Sequence, residues 1–330
     1  VIKAVGDAKE RFLEDASRIL RIVRFAAKLG FQIEQSTRDA IIEMKDILLD
    51  RDVISAEAIS KEFYKAAKSG KMLRNFIEGL IAVGILIDIL PEFQAMEGLM
   101  HNPAHHPEGD SKVIGHILEC LSASKFNDPV INLGVLFHDF GKATTFELKD
   151  GYKLTYHGHE AAGVPIVEKI FDRMRFPDLT SADKENILNA VANHMLVHGL
   201  DKLNIKTLTK LINNPGWEVL KSVSYCDEAS RGTGLWNPAA FEKRIQDAEA
   251  KVAVLGDAEG LRKRIKEKID GQKLMLWFPI LNEKKALIGK VLPDLQDFVL
   301  DQLNKGHDVT DEELYAKGTE IIKSKNLDQS

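Results

Sequence analysis

The stretch Gly134-Val135-Leu136-Phe137-His138-Asp139-Phe140-Gly141-Lys142 constrains this chain more than any other. An adjacent His and Asp offer an imidazole nitrogen and a carboxylate that meet at one cation only if the backbone between them is rigid. The apolar run before them supplies that rigidity by burial. The remaining ligands are expected from His116 upstream and Asp227 far downstream, giving the set His116, His138, Asp139 and Asp227. Mixed imidazole and carboxylate donors suit Mg, Mn, Fe, Co, Ni or Zn. A cation so held lowers the pKa of bound water and polarises a phosphoryl oxygen. Asp139 is expected both to bind the cation and to orient the nucleophile. Lys142, one turn further if the helix continues, is either a phosphate-steadying cation or an ordinary surface lysine. His159, His194 and His198 either complete a second metal, contact the leaving group, or are simply satisfied by their surroundings.

The 330 residues, 44% hydrophobic and 29% charged, suffice for a sizeable core and more than one domain. A net charge of −5 leaves any nucleic-acid contact to local basic faces. Two cysteines, Cys120 and Cys226, do not make a disulfide framework, and a reduced cytoplasmic setting is the expectation. The longest apolar run, 80–90, is interrupted by Gly84 and Asp88, so no membrane association is expected. The chain begins at Val1, within a segment that already reads as structured, and is expected to be part of a longer protein.

Helical periodicity dominates. Phe12, Ile19, Ile22, Val23, Ala26 and Ala27 return at helical spacing over 12–29, with Arg18, Arg21, Arg24 and Lys28 on the polar side and Gly30 as the stop. Further helices are expected over 37–49, 55–69 (with Ser55 as N-cap) and 72–83. Residues 98–113 read as a Pro- and Gly-rich loop whose His101, His105 and His106 either bind metal or, as is more usual, face solvent at the rim of a site. Helices follow over 112–124, 129–140, 159–174, 182–197, 203–212, 217–229, 238–255, 258–269 and 289–303, and a last one starts at Thr310 with Glu313. Thr180 with Asp183 makes a second capping box. One β-hairpin near 145–156 is expected on the Asp150-Gly151 turn. The fold class is therefore all-α, an elongated multi-helix body.

The ordered set His116, His138-Asp139, Asp227 resembles the HD superfamily of metal-dependent phosphohydrolases. The later Cys226-Asp227 with Arg231-Gly232, and the Gly141-Lys142 after the dyad, strengthen the likeness. The segment from Phe12 to Phe31, with Glu14-Asp15 and Arg18, resembles the neck helix of bacterial class II tRNA nucleotidyltransferases, the CCA-adding enzymes and related poly(A) polymerases. Ile54 to Phe63, Pro107-Glu108-Gly109-Asp110, Tyr156-His157-Gly158-His159 and, more loosely, 269–288 are similar to later parts of that family.

The resemblance implies three modules: a helical neck and body over 1–97, an HD phosphohydrolase domain over 98–235, and a helical tail over 236–330. It implies that Asp15 and Arg18, three apart on one helical face, read the base of incoming CTP or ATP, with Arg21 and Arg24 nearby. Asp139, Lys142 and His159 would be the catalytic residues of the HD site, acting on 2′,3′-cyclic phosphodiesters, 2′-nucleotides or other phosphoesters with Mg, Mn or Ni. The partner would be the 3′ end and acceptor arm of tRNA, gripped by Lys61/Lys65/Lys68, Lys202/Lys206/Lys210 and Arg262/Lys263/Arg264/Lys266. The family's N-terminal palm, with its Gly-Ser motif and paired carboxylates, has no counterpart here. Nucleotidyl transfer is expected to need a palm encoded upstream or on another chain. A stand-alone HD nucleotide hydrolase and a non-catalytic RNA-binding subunit are the alternatives.

Overall fold

The protein, described here from a computed structural model, is all-α apart from one two-stranded hairpin. The structure describes residues 1–101, 112–149, 153–232, 234–255, 258–283, 285–304 and 307–325. His105, His106, the 107–110 segment and the Asp150-Gly151 turn lie outside them. The chain divides into two compact units: residues 1–198 with 215–241, and 199–214 with 242–330.

The first unit opens differently from the single helix that the 12–29 periodicity predicts. One helix spans Ala8–Glu14 and the next Ser17–Leu29, with Asp15 between them in extended conformation (φ −158°, ψ 99°). The Asp15 carboxylate accepts from the Ser17 amide (3.0 Å) and hydroxyl (2.6 Å). An Asp side chain that satisfies a nearby backbone N–H competes with the helix, and here it starts a new one. The second helix ends as expected at Gly30, whose φ of 65° is left-handed.

The helices Ala56–Ala66 and Gly70–Ala82 pack on Ser17–Leu29. The Ser55 cap on the Ala58 amide is present. Arg24, expected on the polar side, instead faces inward and pairs with buried Glu62 at 2.5 Å. A charge this deeply buried is tolerated only with such a partner. Buried Asn132 ties these first helices to those that follow. Its amide donates to the carbonyls of Ala67 and Phe126 (2.8 and 2.9 Å), and its oxygen accepts from Ser124 at 2.6 Å.

The rest of this unit is built on the helix Trp217–Ser230. Three helices lie against it: Val113–Ala123, Pro129–Phe137 and Ser181–Val197. The helix His159–Met174 packs on Ser181–Val197. Gly134 permits one close approach, since a Cβ there would lie 2.9 Å from the Val223 side chain. The turn after Phe137 makes another. A Cβ on Gly141 would collide with the carbonyl oxygen of His159 and the amide of Gly163. The hairpin pairs Glu147–Lys149 with Lys153–Thr155 antiparallel, Leu148 opposite Leu154, one residue off the register that a two-residue Asp150-Gly151 turn would set.

The second unit has its own core of Ile269, Leu274, Leu281, Val291, Leu295 and Val299, joined by Leu314 and Ile322. Thr310 and Glu313 form the predicted capping box on its last helix, Asp311–Ser324. No helix among the described residues is long and apolar enough to cross a membrane.

Gly141→Ala should lower stability in urea unfolding by roughly 2–3 kcal/mol or more, because backbone atoms block the new methyl. Gly289→Ala, on an open helix surface with nothing within 4 Å, should leave stability unchanged or raise it.

Candidate metal centre

Five helical segments deliver the site. His116 lies in Val113–Ala123. His138 and Asp139 follow directly on Pro129–Phe137, a helix started by the Asp128 cap with Pro129 in its first turn. His159 opens His159–Met174, His194 lies in Ser181–Val197 with His198 just beyond its end, and Asp227 lies in Trp217–Ser230.

Three imidazoles are oriented by the same local device. His138 Nδ1 faces the Val135 carbonyl oxygen at 2.8 Å, His159 Nδ1 that of Tyr156 at 2.8 Å, and His194 Nδ1 that of Val191 at 2.9 Å. A carbonyl only accepts, so each Nδ1 carries a hydrogen and each ring turns its Nε2 to the interior. His159 Nε2 and His194 Nε2 then face each other at 3.1 Å. His138 Nε2 is buried without a hydrogen-bond partner among the described residues. Convergent Nε2 atoms, each on a ring held through Nδ1 by a backbone carbonyl, are the arrangement that metal-binding histidines adopt.

Asp139 sits among them. One carboxylate oxygen, Oδ1, lies 3.3 Å from His159 Nε2 and 3.9 Å from His194 Nε2. The other, Oδ2, lies 3.3 Å from His138 Nε2 and 3.8 Å from His116 Nε2, and accepts from Lys142 at 2.6 Å. Asp227 Oδ1 is 3.0 Å from His116 Nε2, while Oδ2 takes His198 Nε2 at 2.9 Å and Arg231 at 2.8 Å. Two groups of donors are thus close enough to hold a cation: His116, Cys120, His138 and Asp227, and separately Asp139, His159 and His194. A cavity of about 330 Å³ opens onto them, walled by Asp139, Lys142, Tyr156, His159, His194 and Arg231.

Charge compensation keeps both carboxylates ionised. Burial works against ionisation of Asp139, but His138 and Lys142 outweigh it and hold the carboxyl well below the usual range. Burial likewise opposes the charge on Asp227, and Arg231, His116 and His198 overcome it. Burial, reinforced by His138, pushes His194 down to about 3, so its ring stays neutral. For His198 burial is again opposed, here by Asp227 and Glu228, and its pKa is raised.

The four residues read as a set from the sequence, His116, His138, Asp139 and Asp227, meet in space, and His159 and His194 join them. His198 does not join His159 and His194. It turns to Asp227 and Glu228 (2.8 Å). Lys142 is buried on Asp139, not on the surface. His101, expected in a solvent-facing loop, is buried with its ring 5.0 Å from that of His116. Cys120, Glu228 and Arg231 were missed as participants. Each lies one residue or one helical turn from a residue that was found.

The residues expected to read the base stand apart from this site and differ from their predicted geometry. Asp15 is not helical and does not pair with Arg18. Arg18 binds Glu14 at 2.6 Å, and Asp15 has Arg21 at 3.7 Å. Arg24 is occupied by Glu62. Arg18, Arg21 and Phe25 do line one open cavity of about 490 Å³ with Ile2, Val5 and Arg11.

These helices and their clustered His and Asp residues define an HD-type domain, and residues 111–258 match the family model described as HD domain. Over 217 residues the chain is 34% identical to a multifunctional CCA protein of Teredinibacter turnerae, covering 64% of this chain and 50% of that protein. A multifunctional CCA protein of Neisseria meningitidis is 28% identical over 294 residues, covering 83% of this chain and 68% of its own length. A solved CCA-adding enzyme with ATP aligns over 98% of this chain and 63% of that one, at 14% identity and a TM-score of 0.43. The chain is thus similar to multifunctional CCA proteins over a stretch that includes the match to the HD domain. It spans half the length of the Teredinibacter relative.

In cation-stripped protein the His194 ring should show no protonation in NMR titrations from pH 8 to 5. Its folded pKa of about 3 lies below the ordinary histidine value of 6.5, so unfolding takes up a proton in between. The stability this group contributes is complete above pH 6.5 and should fall as the pH drops through that window.

Proposed function

We propose that residues 98–235 act as a metal-dependent phosphohydrolase within a tRNA 3′-end-processing protein. The observation that carries this is the meeting of the His138, His159 and His194 Nε2 atoms with Asp139 beneath an open cavity that also presents Lys142 and Arg231. A divalent cation, Mg, Mn or Ni, would be held by His116, His138, Asp139 and Asp227, with His159 and His194 available to a second. When bound it would supply an activated water and polarise a phosphoryl oxygen.

The chain's own residues do the rest. Asp139, acting through both oxygens, fixes where the nucleophilic water sits. Lys142 neutralises Asp139 and faces the cavity, where it offsets charge on an incoming phosphate. His159, at the cavity wall, lies within reach of a leaving oxygen. Arg231 holds Asp227 and presents a planar cation to the same cavity. Hydrolysis adds water across one P–O bond, and a 2′,3′-cyclic phosphodiester or a 2′-phosphate at an RNA end is the substrate class. Tyr156, whose hydroxyl donates to the Met100 carbonyl at 2.6 Å, stiffens the rim.

By the resemblance to the CCA-adding enzymes, tRNA would be the polymer served and CTP and ATP the nucleotides. Asp15, Arg18 and Arg21 would meet the incoming nucleotide at the cavity beside Phe25. Arg24 would act there only by shaping the helix. Lys61, Lys65, Lys68, Lys202, Lys206, Lys210, Arg262, Lys263 and Lys266 are exposed, and Arg264 half-exposed, as phosphate contacts require. Nucleotidyl transfer would need a nucleotidyltransferase palm domain, and the setting would be the cytoplasm.

A His138→Ala/Asp139→Ala double variant should lose cyclic phosphodiester hydrolysis by more than the ~100-fold that loss of a ligand's supporting hydrogen bond can cost. Unchanged turnover would sink the reading. Binding of tRNA should weaken steeply and log-linearly with salt. A flat response would remove the RNA-contact assignment.

A further inference from the structure

Cys120 lies one turn after His116 on the helix Val113–Ala123, so the two side chains share a face. Its Sγ is 3.4 Å from His116 Nε2 and 3.1 Å from Ser230 Oγ. His116, Cys120, His138 and Asp227 offer ligand atoms that all lie within 4.8 Å of one another, and all four residues are buried. A second observation points into the same cluster. His138, 1% exposed, has its Nδ1 committed to Val135 and its Nε2 without a hydrogen-bond partner among the described residues.

The spacing is that of ligands around a small tetrahedral ion. Metal–sulfur bonds of ~2.3 Å and metal–nitrogen bonds of ~2.0–2.1 Å at a tetrahedral angle put the two donors about 3.5 Å apart. The observed sulfur–nitrogen separation is 3.4 Å.

We propose that Cys120 is a ligand in the HD centre. The donor set His116, Cys120, His138 and Asp227 then selects a borderline, sulfur-tolerant divalent cation of the zinc or cobalt type over magnesium. This rests on the reading that the cluster holds a cation, and it sets which cation. A thiolate donor favours such ions, whereas oxygen-rich sites favour magnesium. On binding, the S–H bond breaks, the sulfur keeps the electron pair and forms the metal bond, and the proton leaves to solvent. Ser230, whose hydroxyl donates to the Asp227 carbonyl oxygen at 2.8 Å, has lone pairs to receive that S–H hydrogen beforehand.

The test is the absorption spectrum of the full chain stripped with chelator and titrated with Co(II). Intense visible d–d bands and a near-ultraviolet sulfur-to-cobalt charge-transfer band are expected together. Cys120→Ser should erase the charge-transfer band and keep the d–d bands, and should reduce the zinc-over-magnesium preference at least about tenfold. Cys226→Ala should retain both bands. Since the chain has two cysteines, that retention assigns the sulfur even if Cys120→Ser does not fold. Visible d–d bands without the charge-transfer band would overturn the sulfur ligand and leave the cation reading intact. No cobalt spectrum at all would overturn both.

Discussion

Two buried carboxylates set the terms for the HD unit. Asp139 is 1% and Asp227 3% exposed. An ionised carboxylate in so dry a place is tolerable only when fully matched, and breaking one partner strands the other charge. Asp139 is matched by Lys142 and the imidazoles around it, and Asp227 by His116, His198 and Arg231. These partners come from several helices, which must therefore sit in fixed relation to Trp217–Ser230. The close approach of Gly134 to the Val223 side chain and of Gly141 to the backbone of His159 and Gly163 brings the segments near enough for that matching to occur.

The orientation of the histidines is local, although the cluster is not. In each of His138, His159 and His194 the ring hydrogen goes to a carbonyl three residues earlier. A helix or tight turn brings that carbonyl to hand without help from the tertiary fold. Each segment therefore delivers a ring already turned, and assembly of the helices only has to bring the Nε2 atoms together. Such preorganisation limits what must be ordered when a ligand arrives.

Features that depend on short-range chemistry were legible in the sequence. The capping boxes at Thr180 and Thr310, the Ser55 cap, the stop at Gly30 and the existence of the hairpin all appear where residue spacing places them. The order His116, His138-Asp139, Asp227 was legible through a family likeness. What stayed hidden depended on partners far along the chain. Arg24 carries the spacing of a solvated residue and is buried because Glu62, 38 positions on, receives it. His101 reads as loop and is buried against His116. The break at Asp15 was the exception, a local event that strong apolar periodicity masked. Its signal was the Asp15-Ala16-Ser17 sequence, in which the carboxylate reaches two residues forward.

His116 and Asp227 meet across 111 positions of sequence. Closing a loop of that size costs entropy, but the cost grows only logarithmically, by about 0.6 kcal/mol per doubling. The stretch between them is therefore nearly free to vary in length, provided the helices that carry the rings are kept. The short hairpin Glu147–Lys149 and Lys153–Thr155 occupies such a position, between the Asp139 turn and the helix of His159. Evolution could lengthen or trim it at little thermodynamic penalty, and so reshape the mouth of the cavity without rebuilding its floor.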